Sequence, residues 1–502
     1  MTMKHPKLSR RQLLQGLGAT AVGSSLLAPV LAPRRALAQP TEPPPDPYFL
    51  IVVGATGGAS IVDSFMAVRH SECAAFETLN TFPDATVQGI DNTPFRAVNT
   101  MMNGVGPIPL PFNSDQVSFV RRHSADMMIV PYTGTSVNHR VGQKRTLTGN
   151  DAWHGRTLQE AVAMQYGSAF PLPNVNMSFD GYFERGFDRS VAEWAYHVPV
   201  TDAPTWPLGL DGARGVRDLP SRALINEVRA IRNQVTDANS TFGRTFRPSE
   251  RLRRWNSDRD QAQRIEQADL ITRLMMLENG PTTPLTQYGL AESPDGRRIR
   301  ERFPRFMVDS LSAKAALAFL LLKHRVSCTV TLSPTFATAV DQQEMFLSNA
   351  PLAFDFSHNV HRATQALMWG RILDVVDGLA TLLREEPYDE ARGISFWDRT
   401  LIYVATEFGR DRRRPGPTGD FSTGHDLNNG VLIMSPLANG NRVLGGMNPQ
   451  TVLTYGCDME TGTPNANVEN QERDIYAGIL HALRVDTTGS GLPDVRAMRR
   501  TA

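Results

Sequence analysis

Asp398–Met434 reads DRTLIYVATEFGRDRRRPGPTGDFSTGHDLNNGVLIM. Thr400–Thr406 (TLIYVAT) is a short apolar run with β-branched residues, the pattern of a strand buried on both faces of a parallel sheet. It stops at Glu407-Phe408-Gly409-Arg410, which puts a carboxylate at the strand's C-terminal edge. In open α/β sheets ligands bind at that edge, where loops and helix N-termini converge. A loop rich in Pro, Gly and Arg follows, then Gly424-His425-Asp426, then a second apolar run, Val431–Met434. Two neighbouring strands thus bring a carboxylate, an imidazole and an arginine to one rim. The residues leave a second account open, in which Glu407 pairs with Arg410 and His425 caps a loop.

Working outward, Tyr48–Val53 (YFLIVV) reads as the first central strand and opens into Gly54-Ala55-Thr56-Gly57-Gly58-Ala59-Ser60, with Asp63 beyond. Small residues after a strand let backbone amides approach an anion, and they also make ordinary structural turns. Gln116–Val130 suggests a strand, a turn and a further strand, leading to Ser136, His139 and Arg140. Ser136 and His139 serve as nucleophile and base only if the backbone folds them together; a spacing of three also marks a helix N-cap. Near the other end, Asp355-Phe356-Ser357-His358-Asn359-Val360-His361 precedes an amphipathic helix, Ala363–Arg384. An acid and two imidazoles so close together can reach one metal from a single loop, or can cap the helix. Histidine is scarce, 11 in 502 residues, which makes the cluster informative.

The chain opens with Ser9-Arg10-Arg11-Gln12-Leu13-Leu14, a mild apolar stretch from Gly16 to Leu31, and Ala36-Leu37-Ala38. Paired arginines, a Gly/Ala-rich core and a small-residue cleavage site predict a twin-arginine signal peptide over 1–39 and export, to the periplasm or beyond, through the twin-arginine translocation machinery. Those residues hold six basic side chains and no acid, so of 52 basic residues 46 remain against 51 acidic, a net charge of −5. That balance argues against a nucleic-acid partner, and no other stretch is long and apolar enough to span a bilayer.

About 460 residues are enough for one large α/β domain with insertions. Pro220–Val235 and Pro248–Glu278 are charged helical patterns that read as solvated helices packed on one apolar face, a helical insertion or cap at about 205–290 within a domain of 40–502. A linker, Asn279–Asp295, leads to a helix begun by Pro304 and running to Leu322, and then to a strand, Val326–Leu332. Three cysteines make no disulfide framework, and Cys328 sits in an apolar run as a small hydrophobe. Haem, iron–sulfur and dinucleotide motifs are absent from the sequence, which sets redox chemistry aside.

The signal peptide, Asp355 to His358 before a long helix, Thr400–Arg410 as a strand plus E-F-G-R, and Gly424-His425 before a second strand together resemble the bacterial domain-of-unknown-function family 1501. That family is similar to the alkaline phosphatase and sulfatase superfamily. The resemblance covers most of Tyr48 to about Leu483 and is most specific at E-F-G-R. It implies a doubly wound, mostly parallel α/β sheet flanked by helices, with metal ligands at strand ends. Asp355 and His358 look like the superfamily's middle ligand pair, Glu407 stands where an aspartate ligand would be, and His425 looks like the late histidine. Phe408 replaces a histidine ligand, Gly54-Ala55 stands where the first aspartate would be, and Asn138 stands where the nucleophilic cysteine or serine would be. The implied site has metal ligands Asp355, His358, Glu407 and His425 for one divalent ion (zinc, manganese or calcium), with His139, Arg140 and Arg410 catalytic and Arg140 or Arg410 holding a small anionic ester. The resemblance therefore implies a metal-dependent hydrolase of phosphate or sulfate esters, or a non-catalytic binding or assembly protein that keeps the fold.

Overall fold

In a computed structural model of the chain, the described residues are 46–98, 116–149, 151–178, 185–209, 221–232, 237–249, 251–252, 270–282, 284–288, 290–307, 309–334, 353–416 and 419–500. The expected signal peptide, 1–39, lies outside them. One sheet organises the rest. Its strands are β1 (Phe49–Ala55), β2 (Met127–Thr133), β3 (Asn174–Met177), β4 (Val198–Pro199), β5 (Thr329–Leu332), β6 (Thr400–Thr406), β7 (Asn428–Met434) and β8 (Arg442–Val443). In space they lie in the order β8-β2-β7-β6-β1-β5-β3-β4. β1 and β6 pair parallel from Phe49 opposite Thr400 to Ala55 opposite Thr406. Every residue of both is buried, as their unbroken apolar character requires.

β7 alone among these strands runs against its neighbours, antiparallel to β6 on one side and β2 on the other. The two apolar runs in the quoted stretch are neighbours, as expected, but their opposed directions have a consequence. β6 ends and β7 begins at the same edge, so Glu407 and His425 lie next to one rim.

The main helices are α1 (Gln116–His123), α2 (His139–Gln143), α3 (Leu158–Tyr166), α4 (Ser310–Lys323), α5 (His361–Glu385) and α6 (Glu472–Ala482). α5 packs on α4 and α1, while α3 packs on α6; α3 and α4 both meet β5. The mixed, mostly parallel sheet flanked by helices matches the expected class. No helix among the described residues is long and apolar enough to cross a membrane.

Three local expectations change. Gln116–Val130 is not two strands: Val117, Phe119, Val120 and His123 share a buried helical face, and α1 precedes β2. Pro304 does not start α4; a separate helix, Gly296–Arg302, precedes it, and Asp309 caps α4 by accepting from the Leu311 and Ser312 amides. A carboxylate that satisfies two orphan N–H groups is the stronger start signal. Within 205–290 the described residues include helices at Arg222–Ile231 and Leu270–Leu274. On the first of these Leu224, Val228 and Ile231 are at least half exposed, where packing of that face was expected. Most of Pro248–Glu278 lies outside the described residues. Cys328 is fully buried, as expected, and all the cysteines are free.

Candidate metal centre

Four segments end at the rim beyond β1, β2 and β6. From β1, the turn Gly57-Gly58 has φ of +92° and +85°, a conformation in which glycine carries little strain. A Cβ at Gly58 would also lie 2.7 Å from the Arg410 Nε and the Phe408 ring. From β2, the chain reaches Asn138, whose side chain accepts from the Val141 amide at 3.3 Å and caps α2. His139 is the first residue of that helix. The turn Ala353–His358 carries Asp355 and His358 into α5. From β6, Gly409–Arg410 pairs with His425–Asp426 as a two-residue ribbon, with Arg410 opposite His425.

These segments focus on one oxygen. Asp355 Oδ1 lies 3.3 Å from His139 Nε2, 3.5 Å from His425 Nε2 and 3.2 Å from His358 Nε2. His139, Asp355 and His425 each offer a ligand atom within 4.8 Å of the others. His358 Nε2 lies 2.8 Å from His425 Nε2. The far side of each ring is occupied. His139 Nδ1 is 2.8 Å from Glu407 Oε1, and His425 Nδ1 is 2.9 Å from the Val137 carbonyl. His358 is held by a hydrogen bond that its ring donates to the Thr423 backbone. Carboxylate and carbonyl oxygens only accept, so His139 and His425 carry their protons on Nδ1 when neutral. Their Nε2 lone pairs then face the Asp355 carboxylate.

Lone pairs aimed at a carboxylate oxygen repel one another unless a proton or a cation sits among them. The separations decide what fits. Ligands held tetrahedrally at about 2.0–2.1 Å from a zinc ion stand roughly 3.3 Å apart, the spacing of Asp355 Oδ1 from each imidazole. Imidazoles fixed from behind by a carboxylate and by backbone carbonyls are also the usual surroundings of metal-ligating histidine. His139, Asp355 and His425 therefore fit a divalent cation, while His358 Nε2, 2.8 Å from His425 Nε2, stands closer than two ligands of one tetrahedral ion do.

The protonation of the site without an ion agrees. Burial opposes charge on His139, but hydrogen bonds to Asp355 and Glu407 push its pKa up to about 9. Burial also works against Asp355 ionising, yet the His139 and His425 hydrogen bonds and the Arg410 charge hold it well below the usual carboxylate range. Burial raises Glu407, countered by His139 and the Gly57 amide. Burial and the Arg410 charge keep His358 below the ordinary imidazole value.

The expected residues thus converge, with their parts redistributed. Glu407 is fully buried, with Oε2 accepting from the Gly57 amide at 2.6 Å and Oε1 against His139. Its two oxygens orient His139 and close the glycine turn, so that turn's amide is taken by the protein's own carboxylate. Arg410 does not pair with Glu407. Its guanidinium is bonded to the Gly57, Gly58 and Phe354 carbonyls, to Asp355 at 3.2 Å and against His358 at 3.3 Å. It buttresses the two turns. Arg140 is exposed on the first turn of α2, beside His139. Phe408 is fully buried and stacks 4.1 Å from the His425 ring.

His361, read together with His358, faces away from the centre and pairs with Asp63 in the interior. Sequence spacing could not separate these two imidazoles, because a difference of three places both on one side only if a helix already spans them. The helix begins at His361 itself. His139, read as a catalytic residue, is the histidine that joins Asp355 and His425. Its signal was its place just after an N-cap at a central strand's C-terminal end.

No family model matches the chain, and no curated protein matches it. Among solved structures, it is similar to the crystal structure of the lipoteichoic acid synthase LtaP from Listeria monocytogenes, at 7% identity and a TM-score of 0.30, over 90% of this chain and 76% of that one. A likeness of that size carries no argument about the site, which stands on the geometry above.

Proposed function

We propose that the protein is an exported, metal-dependent hydrolase of phosphate or sulfate esters, working with one divalent ion held by His139, Asp355 and His425, with His358 beside them. The observation that carries this reading is the meeting of imidazole Nε2 atoms on one carboxylate oxygen at 3.2–3.5 Å. Nitrogen-rich ligation favours zinc over manganese and calcium, which take oxygen ligands. Such an ion would polarise an ester oxygen and make bound water a nucleophile near neutral pH. The chain's own groups do the rest. Glu407 fixes the His139 ring, Val137 fixes His425, and Arg410 locks the Asp355 turn to the glycine turn. Phe408 fills the place of a further ligand, which supports one ion instead of two. Asn138 supplies no nucleophile and spends its side chain on the α2 cap, so the attacking group is water. Arg140, exposed beside His139, is the residue we assign to the anionic part of the ester.

A second reading, a non-catalytic binding or assembly protein, is favoured by the same Arg410: its guanidinium is committed to backbone carbonyls and to Asp355 and does not present an open fork for an anion. Metal content by mass spectrometry, on protein exported by its native route, separates the two when set beside a Glu407→Ala/His425→Ala double variant. Stoichiometric metal in the wild type, lost in the variant, together with turnover of an aryl phosphate, phosphodiester or aryl sulfate, supports the hydrolase. Bound metal with no turnover across zinc, manganese and calcium leaves the binding protein. No metal in either protein overturns the metal centre.

A further inference from the structure

Beneath the metal centre lies a second polar cluster, sealed from solvent. His361 is fully buried and Asp63 nearly so. His361 Nε2 lies 3.0 Å from Asp63 Oδ2, which also accepts from Asn80 Nδ2 at 3.0 Å. On its other edge, His361 Nδ1 lies 3.1 Å from the Thr423 hydroxyl. Burial opposes ionisation of Asp63, but the His361 and Arg362 charges and the His361 hydrogen bond outweigh it, so the acid stays ionised.

The cluster is wired to each turn that bears a ligand. Thr423 donates its amide to the Ser357 carbonyl at 3.0 Å, its backbone holds His358, and His425 follows two residues later. The His361 amide donates to the Phe421 carbonyl at 2.7 Å. One helical turn on, Gln365 Nε2 donates to the Gly58 carbonyl at 3.1 Å and to Ser357 Oγ at 3.1 Å, while its Oε1 accepts from the Ser60 amide at 2.9 Å. Asp420 accepts from the Arg362 and Ala363 amides, so it caps α5 from across the loop. The glycine turn, the Asp355–His358 turn and the loop before His425 are therefore all fastened to the first two turns of α5.

Burial of this much polar chemistry is costly unless each bond is made. Three atoms make no hydrogen bond, Asp63 Oδ1, Asn80 Oδ1 and Arg362 Nη1, the first and last facing each other as an ion pair at 3.8 Å, so the cluster is not the cheapest filling of that space. An apolar core would suit stability alone.

Building on the metal-centre reading, we infer that His361, Asp63 and Thr423 form a buried positioning relay that sets the placement of His358 and His425 through Thr423, without touching ion or substrate. Asp63 fixes the His361 ring, and His361 fixes the Thr423 side chain. Thr423 in turn holds the backbone from which the two outward imidazoles are presented. Ligand geometry at a metal site is sensitive to such supports, with losses of about 10–100-fold in affinity when they are removed.

The test uses the full chain, with Thr423→Val removing only the hydroxyl, Thr423→Ser restoring it, and His361→Gln as a second lesion. Cobalt(II) is the probe, read by its visible absorption and by titration, alongside the melting temperature and the imidazole nitrogen resonances of His358 and His425. We expect Thr423→Val and His361→Gln to weaken cobalt binding about tenfold or more and to shift both sets of imidazole signals. Melting should stay within a few degrees, and Thr423→Ser should bind like the wild type. Unchanged cobalt affinity and unchanged imidazole signals in Thr423→Val and His361→Gln overturn the relay. A wild type that binds no cobalt overturns the metal centre instead, and the relay then stands or falls on the imidazole shifts alone.

Discussion

Two carboxylate–histidine clusters lie side by side at the rim of the sheet, built from the same chemistry and differing in access. In one, Asp355 meets His139, His358 and His425, whose side chains are 28%, 41% and 19% exposed. In the other, Asp63 meets His361 with both side chains 2% exposed or less. Asp355 Oδ1 collects more imidazole nitrogens than one proton can serve, at the spacing of a metal's ligands. Asp63 has one imidazole, one amide and a nearby guanidinium at 3.8 Å, enough to hold a single negative charge in place. Open and over-supplied, the first cluster suits an exchangeable ion; closed and balanced, the second suits a fixed load.

That contrast fails most visibly if Asp355→Asn keeps its metal. The variant should lose all of a stoichiometric ion by mass spectrometry, its first and largest effect, with a smaller loss of melting temperature because Asp355 also pairs with the buried Arg410. Asp63→Asn should do the reverse first. It leaves the Arg362 guanidinium buried without its counter-charge, so a loss of about 3–5 kcal/mol is expected in denaturant titration.

A third group shows the cost of burial without an acid in contact. Lys314, nearly fully buried, donates to the Ser333 carbonyl at 2.8 Å, and burial together with the Arg371 charge lowers its pKa to about 8. The unfolded chain thus binds more protons between about pH 8 and 10.5, and this group's contribution to stability rises with pH across that window, by roughly 3 kcal/mol in all. Denaturation of the wild type and of Lys314→Met from pH 7 to 10.5 checks this; the variant should lack that rise. The smallest effect sharpens the comparison from the metal side. Glu407→Gln keeps an acceptor for the Gly57 amide but weakens the hold on His139, and metal affinity should drop about 10–100-fold with little change in melting.

Much of the frame was legible in the sequence. Thr400–Thr406 is a strand at the bounds its apolar run gave, and the run Tyr48–Val53 lies in the strand Phe49–Ala55 but for its first residue, because a strand buried on both faces needs no partner information to be recognised. Asp355, His358, Glu407, Arg410 and His425 were identified as one rim and do meet there. Their individual parts were not legible. Glu407 and Arg410 could be ligand, clamp or ion pair until the turn at Gly57-Gly58 was seen to occupy both. Val117, Phe119 and Val120 were read as strand and form a helix, since a short apolar run fits either period.

By itself, then, the sequence determined the elements and the inventory of donors: buried strands from unbroken apolar runs, chemistry from acids and imidazoles where those runs stop. Tertiary structure alone decided the direction of β7, which starts at the rim where β6 ends. It also decided which imidazole faces outward. His358 and His361 are three residues apart and chemically identical. The helix begins at the second of them, so one ring turns to Asp355 and the other to the buried Asp63. That choice depends on contacts about 300 residues distant in the chain, with |i−j| of 298 for His361 and Asp63, which no local pattern encodes.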